Sequence, residues 1–298
     1  MDDNRTHQSE ELVEEPSTAT DEDTVLAPEE VKVARDAFLA VFTGPATLDS
    51  GLRFRNAMNE LGQAARRLLG DGTRSDRSIN QALAKLSGDW FEWLLCIVGR
   101  TVESSRPTKY VAVRLPNVTR FDAAKLYNEN LAQMIEGLRG EVQKSDVELI
   151  TSNPDFVLIA RDVSDTNASP PEFGQNLLDW HDARHMRYVG KCGFEDIKGY
   201  LAAKYTLRPD RRLQMSHEGS LMKALYVHLQ TRLWITRPRG LQFYAVSTHV
   251  GAADKRGLKT VATHSITTVA SLPQPAVDKV FQTTMVSEAH DMFSEILG

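Results

Sequence analysis

The chain has 298 residues, 41% of them hydrophobic and 25% charged, an ordinary globular composition with enough length to bury a substantial core. No apolar run approaches the roughly 18 residues of a membrane span, and the acidic N-terminus lacks the apolar centre of a signal peptide, so we expect a cytoplasmic protein with no membrane contact. The net charge of −5 argues at first against a nucleic-acid partner. Its distribution reverses that. Residues 1–30 hold eleven acids (Asp2, Asp3, Glu10, Glu11, Glu14, Glu15, Asp21, Glu22, Asp23, Glu29, Glu30) and one base, Arg5, which leaves 34 Lys and Arg against 29 Asp and Glu in the remainder. An acidic tail ahead of a mildly basic body is compatible with DNA binding without establishing it. Cys96 and Cys192 lack metal-type partner spacing and read as buried thiols in a reducing compartment.

Residues 1–27, rich in Glu, Asp, Ser and Thr, read as a disordered tail. Pro28-Glu29-Glu30 then starts a helix, with proline in the first turn and acids favoured by the helix dipole. Apolar spacing continues it to Phe42 and predicts two more helices over 50–69 and 77–100. The texture changes after Pro107. Tyr110–Val113 reads as a strand and Phe121–Leu138 as an amphipathic helix. Two short apolar runs, Val147–Ile150 and Phe156–Ile159, flank a turn-like break at Thr151-Ser152-Asn153-Pro154. A loop over 163–174, a strand over Gly199–Tyr205 and a long helix over Arg212–Trp234 follow. Strands over Leu241–Thr248 and Ser265–Ser271 and a closing helix near 287–297 complete an α/β pattern with a mixed central sheet and a helical N-terminal portion.

Three residues carry the chemistry. Asp155 follows Pro154 at the head of an apolar strand, Lys204 stands at the end of another with 48 residues between, and Glu218 follows on the long helix with 13 residues between. Two carboxylates that converge across a sheet end suit Mg²⁺. A nearby ammonium can orient or deprotonate water and neutralise charge on a phosphate. Taken alone, Pro154-Asp155 reads rather as a turn followed by a surface carboxylate.

The segment from Lys204 to Gly219 decides between these readings. Its Lys204, Arg208, Asp210, Arg211 and Glu218 stand at the first position and four, six, seven and fourteen residues on. Over roughly residues 90–230 the chain resembles the CCGG family of type II restriction endonucleases, the NgoMIV type, within the PD-(D/E)XK nuclease superfamily. The resemblance implies a PD-(D/E)XK core over residues 28–298 as a single nuclease domain. It implies Mg²⁺ as cofactor, with Asp155, Lys204 and Glu218 as the catalytic set. It assigns Arg208, Asp210 and Arg211 to reading two C·G pairs, a role their chemistry suits, since Arg can bond guanine O6 and N7 while Asp accepts from cytosine N4. The family's further acid on an early helix is best matched by Glu92, flanked by Trp90, Phe91, Trp93 and Leu94, with Glu60 as rival. Where relatives carry Ser two positions before the Lys, this chain has Ala202.

The reading is a homodimer, as a two-fold site asks for a two-fold protein; some relatives pair dimers into tetramers. The resemblance implies double-stranded DNA containing CCGG or CC(N)GG as substrate, cut to staggered 5′-phosphate and 3′-hydroxyl ends, with a cognate DNA methyltransferase as companion. A non-catalytic DNA-binding regulator and a structure-selective repair nuclease remain as alternatives. His181 and His185 have zinc-type i, i+4 spacing but lack the adjacent Glu of a zinc hydrolase, and Lys255, Arg256 and Lys259 read as either a solvated loop or a phosphate contact.

Overall fold

Five strands form one mixed sheet in sequential order, with helices in the connections between them. The computed structural model describes residues 28–298 except 71–74, 150, 152, 165–170 and 267–272; the expected tail over 1–27 lies outside these. Strands β1 (Tyr110–Arg114), β2 (Phe156–Ala160), β3 (Ile197–Ala203), β4 (Gln242–Ser247) and β5 (Lys279–Gln282) pair in the order β1-β2-β3-β4-β5. The first two pairings are antiparallel and the last two parallel.

Side-chain alternation along each strand divides the core into two layers. Phe156, Leu158, Leu201 and Ala203 face one cluster, while Val157, Ile159, Tyr200 and Ala202 face the other. Because both faces are covered, the central strands read in sequence as nearly continuous apolar runs. Helices α1 (Pro28–Val41), α2 (Phe54–Leu69), α3 (Asp76–Ser105) and α9 (Val286–Ile296) build the first layer. Helices α4 (Glu129–Gln143) and α6 (Pro209–Arg232) build the second. Short helices α5 (Gln175–Ala183), α7 (Ala252–Leu258) and α8 (Thr263–Ile266) pack at the margins, α7 and α8 against α6.

Several expectations need correcting. The helix expected over Phe121–Leu138 is two pieces, because two side chains stop and restart it. Asp122 caps a short 3-10 turn at Ala123–Leu126, and Asn128 caps α4 by accepting from the Leu131 amide at 3.2 Å. Residues 147–149 form no strand, and 150 lies outside the described residues. Of the strand expected over Ser265–Ser271, Ser265 and Ile266 end α8 instead, and the rest is outside them. Strand β5 was not expected: four residues long, with Lys279 and Gln282 exposed, it carries no run of apolar residues for the eye to find.

Glycine decides one close approach within the sheet. A Cβ on Gly199 would sit 2.0 Å from the Gln242 carbonyl oxygen, so a side chain there would part β3 from β4.

Candidate active site

Antiparallel pairing brings the first two site residues together. Phe156 stands opposite Leu201, so the residue before β2 meets the residues that end β3. Asp155 is that residue. One carboxylate oxygen accepts from the Ala203 amide at 2.6 Å and the other from the Lys204 ammonium at 3.3 Å. Asp155 also extends the β1–β2 ladder, its carbonyl accepting from the Leu115 amide at 2.9 Å. Lys204 itself is anchored through its amide to the Val246 carbonyl at 3.0 Å.

Glu218 arrives on the crossover between parallel strands β3 and β4. Pro209 opens α6 at its first position, with Arg208 as the capping residue. Glu218 is 3% exposed and accepts from the Gln214 amide group at 3.1 Å. Its neighbour Gly219 sets how near the helix can come. A Cβ there would lie 2.3 Å from the Ala276 carbonyl oxygen and 3.0 Å from the Phe243 ring. Arg211, Gln214 and Glu218 recur at i, i+3 and i+7, one stripe of α6, and all three line the same cleft. Arg208 and Asp210 are exposed at the head of the helix, outside that lining.

Glu92 comes from α3 and belongs to a network that sequence reading missed. Arg114, at the end of β1, meets three carboxylates with its three guanidinium nitrogens: Glu92 at 2.6 Å, and Asp89 and Asp182 at 2.5 Å. Its guanidinium also lies over the Trp93 ring, 5.8 Å from the centroid. No local signal marks Arg114, since its partners lie on two segments far apart in the chain. Burial pushes the Glu92 carboxyl up to about 8, opposed by Arg114 and assisted by the charges of Asp155 and Asp89. Burial alone would lower the Lys204 ammonium, but Asp155, Glu218 and Glu92 hold it well above the ordinary lysine value. The three carboxylates therefore act electrostatically on one lysine.

Asp155, Lys204, Glu218 and Glu92 line one cleft of about 750 Å³, together with Arg211, Arg114 and Asp182. Glu60 is exposed on α2 and outside that lining, so Glu92 is the acid from an early helix that reaches the site. Carboxylate oxygens from three elements are the donors a hard divalent cation takes. Among the described residues, no three His, Cys, Asp or Glu side chains gather closely enough to hold a metal unaided. That still fits Mg²⁺, which keeps several waters and uses one or two carboxylates plus substrate phosphate.

The histidine pair falls to a structural role. His181 is buried on α5 while His185 sits in the 3-10 turn Arg184–Tyr188, so the helical spacing is broken between them. His185 bonds the Asp182 carbonyl at 2.9 Å and packs edge-on against Phe121. Lys255 and Arg256 are exposed on α7, which is tied to α6 through Asp254 and Arg212 at 3.2 Å. Cys96 and Cys192 are both free and buried, as expected.

A model of the Cfr10I/Bse634I restriction endonuclease family matches residues 45–298. The chain belongs to that family. It is 42% identical over 239 residues to the type II restriction enzyme Cfr10I of Citrobacter freundii, covering 76% of this chain and 81% of that one. Among solved structures it resembles the type IIF restriction endonuclease Bse634I with cognate DNA, at a TM-score of 0.78 and 27% identity over 89% of this chain and 92% of that one. A second Bse634I structure matches at the same TM-score and identity over 88% and 91%. The protein is thus a type II restriction endonuclease, a DNA-binding hydrolase with the mixed-sheet fold of its relatives. No helix among the described residues of this endonuclease is long and apolar enough to cross a membrane.

Proposed function

We propose that this restriction endonuclease hydrolyses both strands of a short palindromic duplex containing CCGG, or CC(N)GG, at a PD-(D/E)XK site of the NgoMIV type. The observation that carries the proposal is the common cleft of Asp155, Lys204, Glu218 and Arg211. One helix carries both a candidate base reader, Arg211, and an acid of the hydrolytic set, Glu218. Arg211 and Glu218 are seven residues apart on α6, roughly 10 Å of helix rise. In this reading Arg208, Asp210 and Arg211 enter the major groove from the head of α6 and bond guanine O6/N7 and cytosine N4.

Asp155 and Glu218, with Glu92 beside them, are the residues that would hold Mg²⁺. When bound, the ion supplies Lewis-acid polarisation of a phosphodiester oxygen and a lowered pKa for attacking water. Lys204, whose charge is held by three carboxylates, acts as a hydrogen-bond donor to the phosphate rather than as a base. The Ala203 amide fixes one oxygen of Asp155, leaving its orientation set by backbone. Ala202, in place of the usual Ser, faces the core and leaves this ligand set unaltered.

The protein works as a homodimer, one subunit per strand, or as a pair of dimers; residues 28–298 form one nuclease domain. It acts in the cytoplasm beside a methyltransferase that protects the host's own sites. Digestion of a plasmid library in Mg²⁺, followed by sequencing of the ends, tests the reading. It predicts 5′-phosphate ends staggered before the first C of CCGG or CC(N)GG. Cutting governed by DNA shape would make this a structure-selective nuclease, and binding without cutting a regulator.

A further inference from the structure

Besides Arg211, the candidate base reader, the Lys and Arg side chains of the cleft fall into two groups. Arg35 is engaged by Asp179 and Asp182, Arg114 by three acids, and Lys204 by Asp155. Lys85 and Arg120 line the same cleft, are exposed, and pair with no carboxylate among the described residues. They come from different walls. Lys85 shares one stripe of α3 with Asp89 and Glu92, at i, i+4 and i+7. That repeats the arrangement on α6, where Arg211 stands seven residues before Glu218. Each of the two helices thus presents a cation about two turns, roughly 10 Å, from an acid of the site.

Arg120 sits in the connection between β1 and the 3-10 turn at Ala123–Leu126. This connection is braced from the residue two before Asp155. The Asn153 side chain donates to the Pro116 carbonyl at 2.9 Å and the Phe121 carbonyl at 2.5 Å, and accepts from the Ala123 amide at 3.0 Å. The Arg120 amide in turn donates to the Asn117 carbonyl at 2.9 Å. Asn153 therefore ties the backbone that carries Arg120 to the backbone that carries Asp155.

We propose that Lys85 and Arg120 contact backbone phosphates of the bound duplex and that Asn153 positions Arg120 for this. Phosphate is the chemistry that fits. Both cations are unengaged at the wall of a cleft whose inner cations are neutralised by protein acids, and a polyanion supplies the missing partner. Their contribution is sequence-independent, unlike that of Arg208 and Arg211. The proposal rests on the reading that the duplex occupies this cleft.

The test is the salt dependence of binding, measured with Ca²⁺ in place of Mg²⁺, on a CCGG duplex and on a scrambled duplex. Over about 50 to 200 mM salt, Lys85→Gln and Arg120→Gln should each reduce the log–log slope by about 1, and each should weaken both duplexes by the same factor. Arg120→Lys should restore the slope. Asn153→Ala should reproduce the Arg120→Gln loss and add nothing to it in the double variant. An unchanged slope, or a loss confined to the CCGG duplex, would overturn the phosphate assignment. Additive effects of Asn153→Ala and Arg120→Gln would overturn the positioning role. Normal slopes in both Gln variants beside lost selectivity in Arg208→Ala would sink this proposal while leaving the cleft reading intact. Wild-type binding to neither duplex would overturn both.

Discussion

The Asp155 carboxylate is clamped to the end of β3 by the Ala203 amide, 2.6 Å away. A backbone donor cannot swing aside as a side chain can, so the acid's orientation is fixed by the sheet itself. The remaining oxygen faces Lys204. Asp155→Asn keeps the shape but loses the negative charge, and Glu218→Gln does the same on α6. Each should abolish cleavage in Mg²⁺ while specific binding in Ca²⁺ survives. Single-turnover cleavage beside a binding titration checks this, and near-normal cutting by either variant removes that residue from the site.

Gly219 should act on catalysis without touching DNA. Alanine would set its Cβ 2.3 Å from the Ala276 carbonyl oxygen, which is backbone and cannot yield cheaply. The helix must lift from the sheet and take the adjacent Glu218 with it. We expect Gly219→Ala to cost about 1–3 kcal/mol of stability, the range for overpacking, and to slow cleavage in the fraction that remains folded. Urea melts beside cleavage rates measure both; a fully active, fully stable variant would show that the approach of α6 is not needed.

Base reading and phosphate contact should separate in Arg208. Its exposed position at the head of α6 leaves the fold indifferent to truncation. Arg208→Ala should lose about 1–3 kcal/mol of discrimination between CCGG and single-substitution duplexes. Competition binding with a set of such duplexes gives the number directly, and full retained selectivity would refute the assignment.

Glu92 makes stability depend on pH in a definite direction. Burial raises its carboxyl from 4.5 in the ordinary case to about 8. The folded chain therefore keeps a proton that the unfolded chain has already released. This contribution is complete below about 4.5 and is lost as pH rises to about 8, at most a few kcal/mol in all. Urea melts of the metal-free protein across that window should show falling stability, and Glu92→Gln should flatten the fall. An identical slope in the variant would mean that the Arg114 pairing keeps Glu92 ionised.

What could be read from the sequence was what is local in it. Lys204 to Glu218 spans the end of a strand and nearly three turns of helix, so its spacing carries the geometry directly. The strands β1 to β4 were legible because burial on both faces makes them apolar throughout. Arg114 was not, because its partners Asp89, Glu92 and Asp182 meet it only through the packing of α3 and α5 against β1. The break before α4 was hidden for a different reason: Phe121, Ala124, Leu131, Ile135 and Leu138 keep a helix-like spacing, while the caps Asp122 and Asn128 override it. The histidine pair, already without the adjacent Glu of a zinc hydrolase, also loses its helical alignment, since the 3-10 turn at Arg184 follows the end of α5.

The most direct test is a crystal structure of the protein with a CCGG duplex and Ca²⁺. The account predicts the ion at about 2.3–2.6 Å from oxygens of both Asp155 and Glu218, with a phosphate at the cleaved position completing its sphere. An ion bound away from these carboxylates, or a duplex whose path avoids the cleft, would contradict it.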